Sequence, residues 1–319
     1  MPTPPSAIPA PPHPQERREP LPSQAPKAAE DDPDAPRRVA AIMASPTYLP
    51  AEKDLAFFNL PENRGLRLEM DYMKAEGALL QSRVAHTVVV FGSTRIVEPH
   101  AAQRRVDALA AQAAAAPGDA ALERKLAVAR RILAKSPYYE TAREFGRLVG
   151  EAREAQDECR VLVMTGGGPG LMEAANRGAF EAGAKSIGLN ITLPHEQYPN
   201  PYVTPELCFS FHYFALRKLH FLQRACALVV FPGGYGTLDE LFETLALIQT
   251  RKMPPVPVIL VGEAYWRRAF DADFLVDEGV IAAEDRELFW FAESAQEIWD
   301  GILQWHRKNG TPLFPGPCG

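Results

Sequence analysis

The sequence predicts an α/β fold: a parallel sheet covered by helices on both faces, with two helical additions. Short apolar runs of strand length alternate with longer runs of helical spacing, the order expected of a parallel sheet. Three of the apolar runs end in glycine turns, at Gly92, at 166–170 and at 233–236. Ligands of such sheets bind at the carboxyl ends of strands, near the topological switch point, so the turns are candidate ligand contacts.

Residues 1–38 are rich in Pro and Ala with almost no large apolar side chains, and are expected to be a disordered tail. Apolar residues return over 39–83, an expected helical extension whose Leu66, Met70, Met73 and Leu80 lie near helical spacing and should pack on the main domain. The main domain is expected over 84–310, with a short tail at 311–319. Thr87 to Phe91 reads as a buried strand ending at Gly92-Ser93. Residues 100–135 are Ala- and Arg-rich and broken by Pro117-Gly118-Asp119, which predicts an inserted helical hairpin with Asp119 capping its second helix. Ser136-Pro137 reads as a cap followed by a proline at the first position of the next helix. Val161 to Met164 is a strand running into Thr165-Gly166-Gly167-Gly168-Pro169-Gly170 and a helix from Leu171. Strands at Ser186–Ile191, Ala227–Phe231 and Val256–Val261, with a helix at Phe214–Cys226, complete the alternation. The order is that of a Rossmann-like sheet.

Composition narrows the class. The net charge of -6 argues against a nucleic-acid or membrane-surface partner, which usually meets a basic face. No apolar run reaches the roughly 18 residues of a membrane span. The first residues lack the apolar core of a signal peptide. Cys159, Cys208, Cys226 and Cys318 show neither metal-ligand spacing nor disulfide density, so no metal is implied and a reducing, cytoplasmic setting is expected.

The most informative stretch is Phe231-Pro232-Gly233-Gly234-Tyr235-Gly236-Thr237-Leu238-Asp239-Glu240. It joins an apolar strand to an amphipathic helix through three glycines. Backbone amides and the positive end of the helix dipole meet there, so phosphate is the expected ligand. Glu240 stands one turn inside the helix. Thr237 and Glu240 also form T-x-x-E, which by itself reads as a capping box. Arg217-Lys218 by itself reads as the solvated face of the preceding helix. The turn at Gly166 is not a dinucleotide fingerprint, because the third glycine of G-x-G-x-x-G would fall at Leu171 and no acidic residue ends the next strand. No Gly-Lys-Ser/Thr follows, which excludes a Walker loop. His195, His212 and His220 have neither metal nor triad spacing, and each reads more readily as structural. Tyr138-Tyr139 reads as cleft or core.

Taken together, Pro232-Gly233-Gly234-Tyr235-Gly236-Thr237-x-x-Glu240, the Arg217-Lys218 pair and Gly166-Gly167-Gly168-Pro169-Gly170-Leu171-Met172 resemble the LOG family of nucleoside 5'-monophosphate phosphoribohydrolases. These include cytokinin-activating enzymes, and many relatives carry the label lysine decarboxylase. The resemblance covers about residues 84–265. The helix from about residue 60 and Leu193-Pro194-His195-Glu196-Gln197 are similar to the longer bacterial branch. Short members place Met-His-x before the Arg-Lys pair, where this chain has Phe214-Ala215-Leu216, and the hairpin at 100–135 is an addition. The resemblance implies Arg217 and Glu240 as the catalytic pair. It implies Gly233, Gly234, Gly236 and Thr237 as the phosphate cradle, with Ser93, Gly167 and Gly168 lining the nucleotide cleft and Lys218 supporting the site by charge. The implied substrate is a nucleoside 5'-monophosphate, without an organic cofactor, and the implied assembly is a homodimer or higher homo-oligomer. The alternative on the same scaffold is a non-catalytic nucleotide or molybdenum-cofactor carrier.

Overall fold

The computed structural model describes residues 11–17, 19–152, 160–194 and 198–313. The chain divides into two units, Met1–Arg67 and Leu68–Gly319. Helices run in the order α1 Ala35–Met43, α2 Leu55–Phe58, α3 Arg64–Gln81, α4 Pro99–Ala115, α5 Ala120–Leu133, α6 Pro137–Glu151, α7 Leu171–Glu181, α8 Phe214–Gln223, α9 Tyr235–Gln249, α10 Glu263–Ala269, α11 Ala272–Asp277 and α12 Ala295–Lys308. Strands are β1 Val84–Phe91, β2 Arg160–Thr165, β3 Ser186–Ile191, β4 Cys208–Phe211, β5 Ala225–Val230, β6 Val258–Val261 and β7 Trp290–Ala292.

In the first unit, α1 begins at Ala35, inside the expected tail. Pro36 near its start presets the helical backbone, so the composition that suggested disorder accommodates a helix terminus here. Residues 1–10 lie outside the described ones.

In the second unit, the seven strands form one sheet in the order β4-β3-β2-β1-β5-β6-β7, with every neighbouring pair parallel. The chain winds from β1 outward to β4, then returns to place β5 on the other side of β1. The switch point therefore lies between β1 and β5. Alternation along the strands divides the core: Val88 and Val90 of β1, Ala227 and Val229 of β5 and Ile259 of β6 pack on one side with α6, α7 and α12. Val89, Phe91, Leu228, Val230 and Leu260 pack on the other with α3, α8 and α9. β3 is buried along its whole length, as expected of a strand covered on both faces.

The inserted hairpin is α4 and α5, and Asp119 caps α5 by accepting from the amides of Ala121 and Leu122 at 2.9 and 3.1 Å. Two local expectations are corrected. Ser136 precedes α6 but does not cap it; its hydroxyl donates back to the Leu133 carbonyl at 2.7 Å, because its own backbone is already helical. On α3, Met70, Met73 and Leu80 are exposed, and the buried residues are Ala75 and Leu79. The polar side chains flanking that buried face explain the reversal. The Asp71 carboxylate accepts from the amides of His212 and Tyr213, and the Glu76 carboxylate takes two hydrogen bonds from Arg224, at 2.6 and 2.8 Å. Helix α3 thus holds both ends of α8, the helix that carries Arg217.

Candidate functional site

β1, β2 and β5 are neighbours, so their three carboxyl-end turns converge. They border a cleft of about 1010 Å³ whose walls include Ser93, Gly166, Arg217, Gly234, Thr237 and Glu240. The size suits a ligand of nucleotide class.

The Gly233–Gly236 turn shows why the bland reading of Thr237 and Glu240 fails. Helix α9 starts at Tyr235 with Gly234 as its cap residue, and no side chain caps it. Thr237 therefore lies inside the first turn and Glu240 nearly a turn further on, so the pair does not form a capping box. Both are buried, at 6% and 4% exposure. The Thr237 and Leu238 amides both donate to the Gly234 carbonyl at 3.0 Å, and the amides of Tyr235 and Gly236 precede the helix's own bonding, which gives the cleft an anion-accepting end.

Glu240 is a buried carboxylate among cations. Burial pushes its pKa up to about 7, against the pull of Lys218 and Arg217 and with a small push from Glu243 and Asp239. The Lys218 ammonium lies 4.0 Å from the Glu240 carboxylate and contacts Asp239 and Glu243 at 2.9 Å each. Burial works against the Lys218 charge, but Asp239 and Glu243 outweigh it and raise its pKa. Its amine is thus engaged by α9, and Lys218 is not among the cleft-lining residues. Lys218 thus stands behind Glu240 as a charged neighbour, the place expected of a residue that supports the site by charge. No lysine lines the cleft among the described residues.

Arg217 is half-buried between the rings of Phe214 and Phe221, its guanidinium carbon 5.5 and 5.3 Å from their centroids. Burial lowers its pKa, opposed by Glu240 and Asp239. A guanidinium remains charged under these conditions. Its Nε has no hydrogen-bond partner among the described residues. Arg217 is also one of the residues that line the cleft, and its Nη2 lies on the side of the Gly166 turn.

The second glycine turn is a structural support more than a cradle. The Gly167 amide donates to Thr165 Oγ1 at 2.9 Å, its carbonyl accepts from the Asn200 amide at 2.8 Å, and the Gly168 carbonyl accepts from Asn200 Nδ2 at 3.0 Å. Gly167 has φ +68°, and a Cβ there would come within 2.0 Å of Asn190 Oδ1. Gly167, Gly168 and Gly233 thus lie behind the wall, contrary to expectation, while Gly166, Gly234 and Gly236 form it. The Gly233 carbonyl accepts from the Tyr265 hydroxyl at 2.5 Å. Ser93 is where expected: its amide donates to the Pro232 carbonyl at 3.0 Å and its carbonyl accepts from the Leu171 amide at 3.2 Å, tying the three turns together.

Several lining residues escaped sequence reasoning: Arg95, Glu173, Tyr198 and Asn200. Glu173 was within reach of it, as an acid in the first turn of the helix after the glycine turn. The Tyr139 hydroxyl donates to Glu173 at 2.9 Å, so Tyr139 is core, holding a cleft residue. His220 is fully buried; its Nδ1 bonds the Leu216 carbonyl at 2.8 Å and its ring packs on Tyr72 and Phe211. His195 lies outside the described residues, as do Cys159 and Cys318. No group of His, Cys, Asp and Glu among the described residues could hold a metal ion. No helix among them is long and apolar enough to cross a membrane.

Fold and cleft define the class: a Rossmann-like α/β protein whose ligand cleft lies at the carboxyl ends of its strands. Comparison with known proteins narrows it. A family model described as "possible lysine decarboxylase" matches residues 172–302. The cytokinin riboside 5'-monophosphate phosphoribohydrolase LOG7 of Arabidopsis thaliana is 30% identical over 169 residues, 51% of this chain and 73% of that one. The corresponding LOG enzyme of Oryza sativa subsp. japonica is 30% identical over 167 residues, 51% of this chain and 65% of its own length. This chain belongs to the LOG family. Among solved structures, a molybdenum cofactor binding protein from the phototrophic bacterium Rippkaea orientalis is 23% identical with a TM-score of 0.36, covering 53% of this chain and 87% of that one.

Proposed function

We propose that the protein hydrolyses the N-glycosidic bond of a nucleoside 5'-monophosphate, releasing the free base and ribose 5-phosphate. The observation that carries this reading is the placement of Arg217 and Glu240 on one cleft with the amide-rich start of α9. Helix dipole and leading amides suit the 5'-phosphate, and binding there orients the sugar for reaction. The departing base leaves a cationic, oxocarbenium-like C1', as in other glycoside cleavage. The ionised Glu240 would oppose that charge and take a proton from the attacking water, whose oxygen bonds to C1' as the C1'–N bond breaks. The leaving nitrogen carries the bonding pair away and is protonated from solvent or the site. Arg217, which lines the cleft, would orient the phosphate or the ribose oxygens. Lys218 would keep Glu240 ionised often enough to act near neutrality.

The name of the LOG relatives places cytokinin riboside monophosphates among the substrates to test. Chromatography after incubation with AMP, CMP, GMP, UMP and isopentenyl-AMP tests the reading. Free base and ribose 5-phosphate from at least one of them is the expected result. Binding without release across the panel would make the protein a nucleotide carrier instead.

A further inference from the structure

A second cavity, of about 720 Å³, lies where the inserted hairpin meets α10. Its walls are Arg131 and Lys135 at the end of α5, Tyr138 at the start of α6, and Tyr265 and Arg268 on α10, with Ala134, Ala264 and Ala269 between them. Arg131 in the last turn of α5, Lys135 in the turn that follows it and Tyr138 in the first turn of α6 border the cavity from one side, and Tyr265 and Arg268, three apart on α10, border it from the other. Three cations thus share a cavity of ligand size. None of them contacts a carboxylate among the described residues. Their acidic neighbours are committed elsewhere: Glu263 pairs with Arg267 at 2.6 Å, and Glu293 accepts the Glu263 amide at 2.9 Å. Glu293 is also the charge that, after burial, raises the Tyr138 pKa, so it lies at the edge of this region.

Basic residues at a helix C-terminus often serve only to offset the helix dipole, and Lys135 does reach back to the Arg131 carbonyl at 3.3 Å. That contribution amounts to about half a charge per helix end. Two helix ends leave the cavity with an excess of positive charge. The alanines between the cations keep the space open. The Tyr138 ring comes so close to Gly262 that a Cβ there would sit 2.4 Å from its hydroxyl, so the ring is held in place by backbone.

We propose that this cavity is a second anion site, distinct from the cleft, for a phosphoanhydride-bearing ligand. Two guanidinium groups and an ammonium suit a diphosphate, since Arg forks match phosphate oxygens bidentately. The two tyrosine rings give an aromatic base a surface to stack on. The site also has a physical link to the cleft: Tyr265 is in its wall, and the Tyr265 hydroxyl donates to the Gly233 carbonyl of the turn that opens α9. The inserted hairpin supplies Arg131 and Lys135, which gives that addition a role the cleft alone does not require.

Isothermal titration of the full chain carrying Arg217→Ala, with inorganic pyrophosphate and with ADP, tests the site while the cleft arginine is removed. One site per chain is expected. Arg131→Ala/Arg268→Ala should weaken binding at least tenfold, and Lys135→Gln should weaken it less. Arg104→Ala/Arg105→Ala, two exposed cations on α4, should leave it unchanged. Tighter binding of ADP than of pyrophosphate would show the tyrosine rings holding a base; equal binding would show that the phosphoanhydride alone is recognised. Both results support the site. No binding of either probe at millimolar concentration would overturn the proposal, as would equal weakening by the control pair, or binding seen in the wild type and lost in Arg217→Ala. Hydrogen exchange at the amides of 233–237 tests the link. Pyrophosphate should slow it in the wild type and not in Tyr265→Phe; unchanged exchange in the wild type would refute the connection to the turn.

Discussion

Replacing Glu240 by Gln should make the protein more stable at alkaline pH while abolishing turnover. Glu240 is buried, and its pKa stands near 7 against an ordinary value of 4.5, chiefly because burial penalises the charge. A shift of that size corresponds to about 3 kcal/mol between the two protonation states. The folded-state pKa lies above the unfolded one, so the folded protein holds the proton more tightly. The advantage is full below pH 4.5, is lost as the pH rises from 4.5 toward 7, and stays lost above it. Gln is neutral at every pH and escapes the loss. Wild type and variant should therefore have similar stability near pH 4.5 and diverge by about 1.4 kcal/mol per pH unit through the window, to about 3 kcal/mol by pH 8. Urea unfolding of both proteins at several pH values between 4.5 and 8 measures this directly. A stability difference that does not change with pH would refute the assignment of a raised pKa to Glu240. A variant less stable than wild type at pH 8 would show that Lys218 and Arg217 outweigh burial.

Further outcomes follow from the same geometry. Arg217→Ala should lower turnover by roughly 100- to 1,000-fold, the scale of a lost charge-stabilising donor, with an unchanged far-ultraviolet spectrum; loss of fold would mark the arginine as structural. Gly178→Ala should destabilise the second unit by about 1–3 kcal/mol or more, because the added Cβ would fall 1.8 Å from the Arg143 carbonyl oxygen where α6 and α7 cross, and thermal unfolding reads this out. Light scattering should give at least twice the monomer mass, since Met70, Met73 and Leu80 of α3 and Phe214 and Leu219 of α8 are all exposed; a monomer at micromolar concentration would contradict it.

The parts of the fold that could be read from the sequence are those with strong local signals. β3 has the predicted bounds, Ser186–Ile191, because Ile187, Leu189 and Ile191 recur at every second position, the period of a strand. Asp119 was legible because a cap acts on amides two and three residues away. β4 and β7 were missed: four and three residues carry too little pattern to stand out. On α3 the helix was predicted but its buried face was not. Periodicity finds an apolar stripe, yet here a narrow face of Ala75 and Leu79, flanked by Asp71 and Glu76, is the one buried. The motif pointed to Arg217 and Glu240, which the fold brings to one cleft, while which glycines border that cleft depended on long-range contacts. Asn200 engages Gly167 and Gly168 from 32 or more residues away, and no local signal records that. The start of α9 two residues before Thr237 likewise turned an apparent cap into a buried first-turn residue.

The central claim is that Arg217 and Glu240 cleave the glycosidic bond of a substrate anchored by its 5'-phosphate. Its most direct test is base release from AMP and from adenosine, measured in parallel for the wild type, Arg217→Ala and Glu240→Gln. Release from the monophosphate by the wild type alone, with adenosine untouched, is the predicted result. Equal release from adenosine, or near-normal release by either variant, would contradict it.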